Sequence, residues 1–300
     1  MILVLGATGR LGQSICRQLS EQPEAVRAFV RPGADTAKRE LFRTLGFGTM
    51  LGDLREPASF DRALEGVQTI IATASSMPIS YLPGRNDIKR VDMMGMKRFI
   101  DHARAAGVRR FIYISLSGEI ELDFPLWRAK RSVEKYLEES GLSFTILRPA
   151  YFMETWLSPA VGFDPRHGSI RLYGDGTEPV SFISLHDVAR FAVASVGHPL
   201  ARNAVFELGG PEALSPLHVA HLFSELSGRR MQLQYIPMGA LQEQWAMALD
   251  PMQTSLAGLM LCLAQGAAVN MRPALECFPL PLTSVEDYAA SWLPAAPLAA

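Results

Sequence analysis

The sequence predicts an α/β protein with a Rossmann-type doubly wound parallel sheet and a smaller C-terminal substrate lobe. Its first apolar run, residues 2–5, leads directly into a glycine-rich turn at residues 6–12 and then into an apolar-periodic helix. Up to Pro149, short apolar runs alternate with longer helical patterns, as parallel strands and their covering helices do. With 300 residues and 48% apolar content, the chain is long enough for one large domain and an added lobe.

The short apolar runs before Pro149 are the predicted strands of the sheet. They lie at residues 2–5, 26–30, 48–51, 69–73, 110–114 and 143–147. The first helix is predicted at residues 13–20, after the glycine turn. The clearest helix between the strands spans residues 88–106, where Gly107 is placed to end it and Gly95 marks a close packing contact.

After Pro149 the alternation breaks into Gly- and Pro-rich loops at residues 159–179 and then resumes. The predicted elements are a strand at 180–183, a helix at 187–196 that His186 begins and Asp187 caps, a strand at 204–208, and a helix at 216–227 capped by Ser215. We therefore place the dinucleotide-binding domain at residues 1–150, completed by 180–210, and the smaller substrate or partner lobe at 151–179 and 211–300.

The glycine turn has the composition of a phosphate-binding loop. Gly6 lets the strand end in a tight turn, Gly9 leaves room for a pyrophosphate, and Gly12 lets the helix pack close to the sheet. The N-terminus of the helix then faces the phosphates. The residues predicted to bind the dinucleotide are Gly6, Thr8, Gly9, Arg10, Leu11, Gly12, Arg31, Asp53, Leu54, Ala74, Ser75 and Lys130.

The end of the second strand indicates which dinucleotide is bound. Arg31 stands where NAD-binding proteins carry an acid for the ribose 2′-hydroxyl, and an arginine there suits the 2′-phosphate of NADP(H). Arg10 is a second candidate cation for that phosphate. Asp53 follows the third strand and is placed to accept from the adenine amino group, unless it is simply a turn residue.

The composition disfavours several classes of partner. The net charge of −1, from 29 basic and 30 acidic residues, creates no field that would gather nucleic acid or anionic lipid. The apolar stretch at 256–263 is far shorter than the ~20 residues of a membrane span, and the N-terminal one is too short for a signal peptide. The three cysteines lie far apart and the six histidines form no pattern with acids, so we expect no metal site and a cytoplasmic protein.

Motifs spread over most of the chain resemble those of the NmrA-like atypical short-chain dehydrogenases. They are the glycine turn, Arg31, the Gly-Asp-Leu turn at 52–54, residues 105–111, Leu-Arg-Pro at 147–149, and residues 180–191 and 283–288. The resemblance implies a Rossmann fold that binds NAD(P)H. Within this family the chain is similar to quinone oxidoreductases and isoflavone reductase relatives, which are enzymes, and to Ycf39-like assembly proteins, which are not.

The family resemblance also identifies the candidate proton donor. Ordinary short-chain dehydrogenases use a Tyr four residues before a Lys; here Lys130 matches the Lys, but Leu126 stands at the tyrosine position. Resemblance to the reductase branch implies that Lys130, or a water that it orients, protonates the substrate. Burial lowers the pKa of a lysine, which would let Lys130 give up its proton. The alternative is a solvated lysine, since Arg128, Arg131 and Lys135 lie on the same predicted helix.

Hydroxyl groups at the ends of the fifth and sixth strands are further candidates. Ser115 and Ser117 both follow the fifth strand, and Ser117 aligns better with the hydroxyl of the superfamily, so Lys130 and Ser117 are the predicted catalytic residues. Tyrosines that are either substitute proton donors or core residues are Tyr81, Tyr113 and Tyr151. Tyr151 is the best placed of these because it follows the sixth strand.

The residues after Pro149 are the candidate substrate pocket. Tyr151, Phe152 and Met153, together with Trp156, are predicted to wall an apolar pocket for a flat aromatic or other apolar small molecule, or else to seal the two lobes together. The apolar segment at 238–263 suits a homodimer interface, a substrate lid or a surface for another protein.

Two functions follow from these patterns. One is an NADPH-dependent reductase that transfers hydride to a quinone, an enone or a similar conjugated carbonyl. The other is an NAD(P)H-binding regulatory or assembly protein without turnover, which the missing tyrosine supports. The missing tyrosine disfavours a third possibility, an epimerase or dehydratase.

Overall fold

The computed structural model describes residues 1–77 and 87–292. The strands in this part of the chain are β1 Ile2–Leu5, β2 Val26–Val30, β3 Gly48–Leu51, β4 Thr69–Ala72, β5 Arg110–Ile114, β6 Ser143–Pro149, β7 Tyr151–Phe152, β8 Phe163–Asp164, β9 Ser169–Tyr173, β10 Val180–Ile183, β11 Ala204–Leu208, β12 Ala213–Leu214 and β13 Gln232–Ile236. The α-helices there are α1 Arg10–Leu19, α2 Thr36–Thr44, α3 Phe60–Leu64, α4 Met96–Ala105, α5 Pro125–Glu138, α6 Met153–Trp156, α7 Leu185–Ala194, α8 Pro216–Ser227, α9 Met238–Met247, α10 Pro251–Gln265, α11 Arg272–Cys277 and α12 Val285–Trp292.

The largest sheet is parallel throughout and has the strand order β11-β6-β5-β4-β1-β2-β3. The chain builds outward from β1 in one direction through β2 and β3, and then returns to add β4, β5 and β6 on the other side. Strand order therefore reverses between β1 and β4. In open α/β sheets, ligands bind in the crevice at this switch point, beyond the carboxyl ends of the strands.

The apolar runs form buried strands because helices cover both faces of the sheet. In β1, Ile2 and Val4 pack into the core on one face, whereas Leu3 and Leu5 pack into the core on the other. Strand β3 lies at the edge of the sheet and its residues are largely exposed. This double burial explains why the strands read as continuous apolar runs rather than as alternating patterns.

A second, smaller lobe carries two three-stranded sheets, β12-β10-β7 and β13-β9-β8. Within the predicted 180–210 segment, β11 joins the large sheet beside β6, whereas β10 pairs with β7 and β12 of the smaller lobe. Helix α10 is mostly buried between the lobes, packed against α5 and β9. Exposed apolar side chains nearby include Met247, which is 68% exposed, and Leu249, which is 95% exposed.

The predicted α/β fold is confirmed, and the differences are local. Helix α1 begins at Arg10, three residues before the predicted start. The predicted 88–106 helix begins as a π-helical turn at Lys89–Gly95, here called the π turn, and continues as α4. Helix α7 is capped by Ser184, whose hydroxyl accepts from the N–H of Asp187, so the prediction that Asp187 is the cap was wrong. No helix in the described ranges has the length and apolarity to cross a bilayer.

Candidate active site

Two adjoining cavities lie at the carboxyl edge of the large sheet. The first, here called the nucleotide cavity, has a volume of about 320 Å³, and every predicted dinucleotide residue other than Lys130 lines it. The second, here called the apolar cavity, has a volume of about 270 Å³ and includes Lys130 in its wall. The two share the residues Leu11, Thr73, Ser75 and Met77. They therefore form one continuous binding region at the switch point of the sheet.

The backbone of the glycine turn leaves no room for a side chain at Gly6 or at Gly12. Gly6 has φ of +87°, and a Cβ on Gly12 would lie 2.2 Å from the carbonyl oxygen of Gly6. Gly9 is the N-cap of α1 and brings no side chain to accept from the first helical turn. The N–H groups of that turn are therefore left to an anionic ligand, so the cradle fits a dinucleotide pyrophosphate.

The far end of the nucleotide cavity carries positive charge. Arg31 and Lys38 both line it, and no acid occupies the position after β2. Sequence reasoning missed Lys38, which lies in α2 and belongs to no motif. Asp53 lines the same cavity, but its carboxylate accepts a side-chain hydrogen bond from Arg55 at 2.6 Å. This bond from Arg55 holds the pKa of Asp53 below its usual value, so the carboxylate stays ionised and is already engaged.

Arg10 links the glycine turn to the second lobe. It lines the nucleotide cavity, and its guanidinium donates to the carbonyl oxygen of Glu154 at 2.8 Å. The carboxylate of Glu154 in turn accepts from the first N–H of α7, at Leu185. Burial raises the pKa of Glu154. The structure thus gives Arg10 a contact between lobes in addition to its place beside the predicted phosphate site.

Lys130 lies on α5, and its ammonium group reaches the end of β5. The residue is 6% exposed, and its Nζ donates to the carbonyl oxygen of Ile114 at 3.0 Å. The same Nζ lies 4.9 Å from the centre of the Tyr113 ring. Burial lowers the pKa of Lys130, and the negative charges of Asp92 and Glu134 oppose that change. Lys130 is therefore a buried lysine in the cavity wall, not a solvated helix lysine.

The two candidate serines face different surroundings. Ser115 lines the apolar cavity beside Lys130. Ser117 is fully buried, and its hydroxyl donates to the carboxylate of Glu207 at 2.8 Å. The structure therefore brings Ser115, not the predicted Ser117, to the cavity. Leu126, at the tyrosine position, also lines this cavity and offers no proton.

A partly buried ionic network fixes the loop that carries these serines. Glu134 accepts from Arg131 and from Arg148, each at 2.6 Å. Burial would raise the pKa of Glu134, but the bond from Arg148 and the charge of Arg131 outweigh it and lower that pKa. Arg148 also binds Glu207 at 3.1 Å, and Arg131 donates to the carbonyl oxygens of residues 116 and 117. These bonds hold the end of β5 against α5 and β6.

The alternative tyrosine donors have other roles. The hydroxyl of Tyr151 donates to the carbonyl oxygen of Leu259 at 3.0 Å, although its ring lines the apolar cavity. Tyr113 is buried beneath Lys130, and burial raises its pKa well above the usual value. Tyr81 lies outside the described residues.

The apolar cavity draws its wall from both lobes. Tyr151, Phe152 and Trp156 line it as predicted, whereas Met153 is fully buried elsewhere in the core. Helix α10, part of the apolar segment for which a substrate lid was one predicted role, and the loop before β8 contribute further residues, which sequence reasoning did not identify individually. They are Leu256, Leu259, Met260, Ala160 and Val161. The wall is mainly apolar, and its polar groups include Ser115 and Lys130, an arrangement that suits an apolar ligand with a polar atom to orient.

Sequence reasoning also missed Asp92, a fully buried carboxylate in the π turn. Its Oδ2 accepts from the backbone N–H of Ser76 at 3.0 Å and from the Ser76 hydroxyl. No motif at the sequence level marks Asp92, because it lies inside a helical pattern. Across residues 1–77 and 87–292, no group of three or more acidic, histidine or cysteine side chains is arranged to hold a metal ion.

Comparisons with known proteins agree with this geometry. The model of the NmrA-like family matches residues 1–288. Ycf39, a photosystem II assembly factor of Cyanophora paradoxa, is 31% identical over 80% of this chain and 73% of that protein. An NAD(P)H azoreductase of Xenophilus azovorans is 30% identical over 87% of this chain and 85% of that protein.

Solved structures share the whole fold. That of the NADPH-dependent quinone oxidoreductase QOR2 of Escherichia coli, complexed with NADPH, is 23% identical, with a TM-score of 0.79 over 97% of this chain and 99% of that chain. That of the Citrobacter sp. triphenylmethane reductase complexed with NADP(H) is 20% identical, with a TM-score of 0.78 over 97% and 99% of the two chains. At these identities, the likeness concerns the fold.

Proposed function

Because the chain belongs to the NmrA-like family, we propose that it is an NADPH-dependent reductase that transfers hydride to a quinone, an enone or a similar conjugated carbonyl. The observation that carries the proposal is the continuity of the two cavities, with Lys130 in the wall of the apolar one. A dinucleotide in the glycine cradle and an apolar substrate would then be neighbours, as hydride transfer requires.

The preference for NADPH rests on the charges at the far end of the nucleotide cavity. Arg31 and Lys38 line the cavity after β2, and a guanidinium group is well suited to bind the 2′-phosphate that distinguishes NADPH from NADH. The nearby Asp53 is bound to Arg55, so its charge is partly offset. NADH has no 2′-phosphate, so its binding would not be strengthened by the charges of Arg31 and Lys38.

The reaction needs a hydride and a proton. NADPH, when bound, supplies the hydride that the substrate carbon takes. Lys130 holds at Nζ the proton that the substrate oxygen takes, so the substrate gains one hydride and one proton. Ser115 lines the same cavity, although its hydroxyl oxygen is itself buried. The apolar side chains around both groups exclude water, which strengthens the pull of Lys130 on a developing negative charge.

The relatives support a reductase without identifying its substrate. The azoreductase and the QOR2 protein are named for NAD(P)H-dependent reduction of azo compounds and of quinones. Both substrate types are flat and conjugated, and the apolar cavity with its wall of Tyr151, Phe152 and Trp156 suits such molecules.

A second function, an NAD(P)H-binding assembly or regulatory protein without turnover, is favoured by one specific observation. Leu126 occupies the tyrosine position and lines the apolar cavity, so the usual acid is absent there. The likeness to Ycf39 assembly factors supports the same alternative. In that case the cofactor would stabilise a conformation that a partner binds.

The experiment that decides between the two functions is NADPH consumption by the purified protein with a panel of quinones and enones, beside direct binding of NADPH and NADH. Turnover with at least one member of the panel supports the reductase. Tight NADPH binding without turnover across the panel favours the assembly or regulatory protein. Absence of NADPH and NADH binding contradicts both functions.

A further inference from the structure

Asp92 is a buried carboxylate that has no role in the proposed reaction as described above. It has no exposed surface, and its Oδ1 has no hydrogen-bond partner within the described residues. A buried carboxylate oxygen without a donor is costly. Asp92 also lies in the π turn, and single π-helical turns within helices occur often at functional sites. Both features indicate a role beyond packing.

The surroundings of Asp92 connect both cavities. Its Oδ2 accepts from Ser76, which lines the nucleotide cavity. On the other side, α5 packs against the π turn, and the charge of Asp92 acts on Lys130. Gly95 lets the π turn pack closely against the loop after β3, because a Cβ at this position would lie 2.6 Å from the carbonyl oxygen of Leu54.

Other groups around Lys130 either act on it in opposite directions or are neutral: the charge of Glu134 raises the pKa of Lys130, and the charge of Arg131 lowers it. Glu134, on the same helix, is bound by Arg131 and by Arg148 of β6. Tyr113 of β5 carries its ring beside Nζ and has a raised pKa, so it stays uncharged near neutral pH. Asp92 makes no ion pair within residues 1–77 and 87–292. Its charge is therefore available to Lys130.

We propose that Asp92 is a positioning residue that keeps Lys130 protonated inside the cavity wall. Lys130 loses its hydration on burial, and the carboxylate of Asp92 replaces part of the lost stabilisation of the ammonium form. The role in catalysis rests on the proposed reductase function, because only a protonated Lys130 supplies a proton to the substrate. The effect of Asp92 on the charge of Lys130 does not depend on turnover.

The direct test is a pH titration of Lys130 in the intact protein by NMR, with lysine labelled with ¹³C at Cε. Its signal is assigned by its absence from Lys130→Met. A lysine is charged below its pKa, and the negative charge of Asp92 raises that pKa. Asp92→Asn is therefore expected to move the titration to lower pH by about one unit. In an active enzyme, the fall of kcat/KM at high pH moves to lower pH by the same amount.

The matched control is Asp101→Asn, which removes a carboxylate from α4 that accepts from the Tyr136 hydroxyl at 2.7 Å. It is expected to leave the titration unchanged. Asp92→Glu retains the carboxylate and is expected to restore most of the wild-type titration. An unchanged titration in Asp92→Asn, or an equal shift in Asp101→Asn, would overturn the inference.

A further variant covers the case in which Asp92→Asn does not fold. Ser76→Ala removes a hydrogen bond that stabilises the ionised form of Asp92, so the Lys130 titration is expected to change, whereas in Asp101→Asn it stays as in the wild type. An unchanged titration in Ser76→Ala would contradict the inference. If the titrations behave as expected and no substrate is reduced, the inference holds and the reductase function fails.

Discussion

The two cavities differ in what shapes them. At the glycine turn the nucleotide cavity is shaped by backbone, because Gly6 and Gly12 leave no room for side chains and α1 presents its first N–H groups. The apolar cavity is shaped by side chains that arrive from separate elements, from β5 through α5 and β7 to α10. The pyrophosphate part of the proposed cofactor site can therefore be encoded within one short motif, whereas the proposed substrate site exists only after the lobes have packed together.

The largest expected effect concerns Lys130, which lies in the wall of the apolar cavity and is the proposed proton donor. In Lys130→Met, a side chain of similar length keeps the packing but holds no proton. We expect turnover to fall by at least about a hundredfold, while NADPH still binds. Measurements of kcat/KM and of NADPH affinity by fluorescence titration check this.

The matched control for Lys130 is Lys135→Met on the same helix. Lys135 is largely exposed and lies 3.8 Å from Glu139, so its loss is expected to leave turnover unchanged. Equal losses in both variants would show that the charge of α5 matters in general, and that Lys130 has no special place between the cavities.

The second prediction tests the claim that backbone shapes the nucleotide cavity. In Gly12→Ala, the new Cβ would meet the carbonyl oxygen of Gly6 at 2.2 Å, and the backbone must shift. We expect the free energy of unfolding to fall by about 2–3 kcal/mol and NADPH affinity to fall sharply. Thermal denaturation and NADPH titration measure the two effects.

Gly239→Ala is the control for Gly12→Ala. A Cβ on Gly239 meets no atom within 4 Å, and the residue lies in α9. Alanine is the better helix former, so the variant is expected to be slightly more stable than the wild type. Unimpaired NADPH binding in Gly12→Ala would contradict the backbone account of the cavity.

The contrast between the cavities also explains how far the sequence predicts the molecule. The strands were predictable because burial on both faces produces continuous apolar runs, and the glycine turn was predictable because its residues are adjacent in the chain. Lys38 could not be predicted as a cavity residue, since its place follows from the fold of α2 over the end of β2. The α10 residues Leu256, Leu259 and Met260 reach the apolar cavity only through packing between lobes.

The sequence also does not decide which of two neighbouring serines faces the apolar cavity. Ser115 and Ser117 are equally polar and close to the end of β5, and alignment with the superfamily favoured Ser117. The structure turns Ser117 toward Glu207 because Arg148 holds that carboxylate from the neighbouring strand β6. Which serine faces the cavity is thus decided by a partly buried ionic network whose members come from α5, β6 and β11.

The third prediction changes the charge at the edge of the nucleotide cavity and leaves the glycine turn intact. In Arg31→Asp, a cation at the edge of the nucleotide cavity becomes an acid that repels a 2′-phosphate and accepts from a 2′-hydroxyl. We expect NADPH affinity to fall about tenfold or more, while NADH affinity rises. Arg17→Asp, at the exposed C-terminal end of α1, makes the same change in net charge and is expected to leave the ratio of the two affinities as it was. Similar changes in both variants would mean that overall charge, not Arg31, selects the cofactor.

The smallest expected effect concerns the shape of the apolar cavity. Ala160 lines this cavity and is exposed at its rim, so Ala160→Trp narrows the entrance without disturbing the core. We expect kcat/KM for a wide, multi-ring quinone to fall several-fold relative to that for a single-ring quinone, with NADPH affinity unchanged. Ala246→Trp, on an exposed position of α9, is expected to leave the ratio of the two substrates unaltered. If Ala160→Trp weakened NADPH binding instead, the two cavities could not be altered independently, because a side chain in the apolar cavity would then affect binding in the nucleotide cavity.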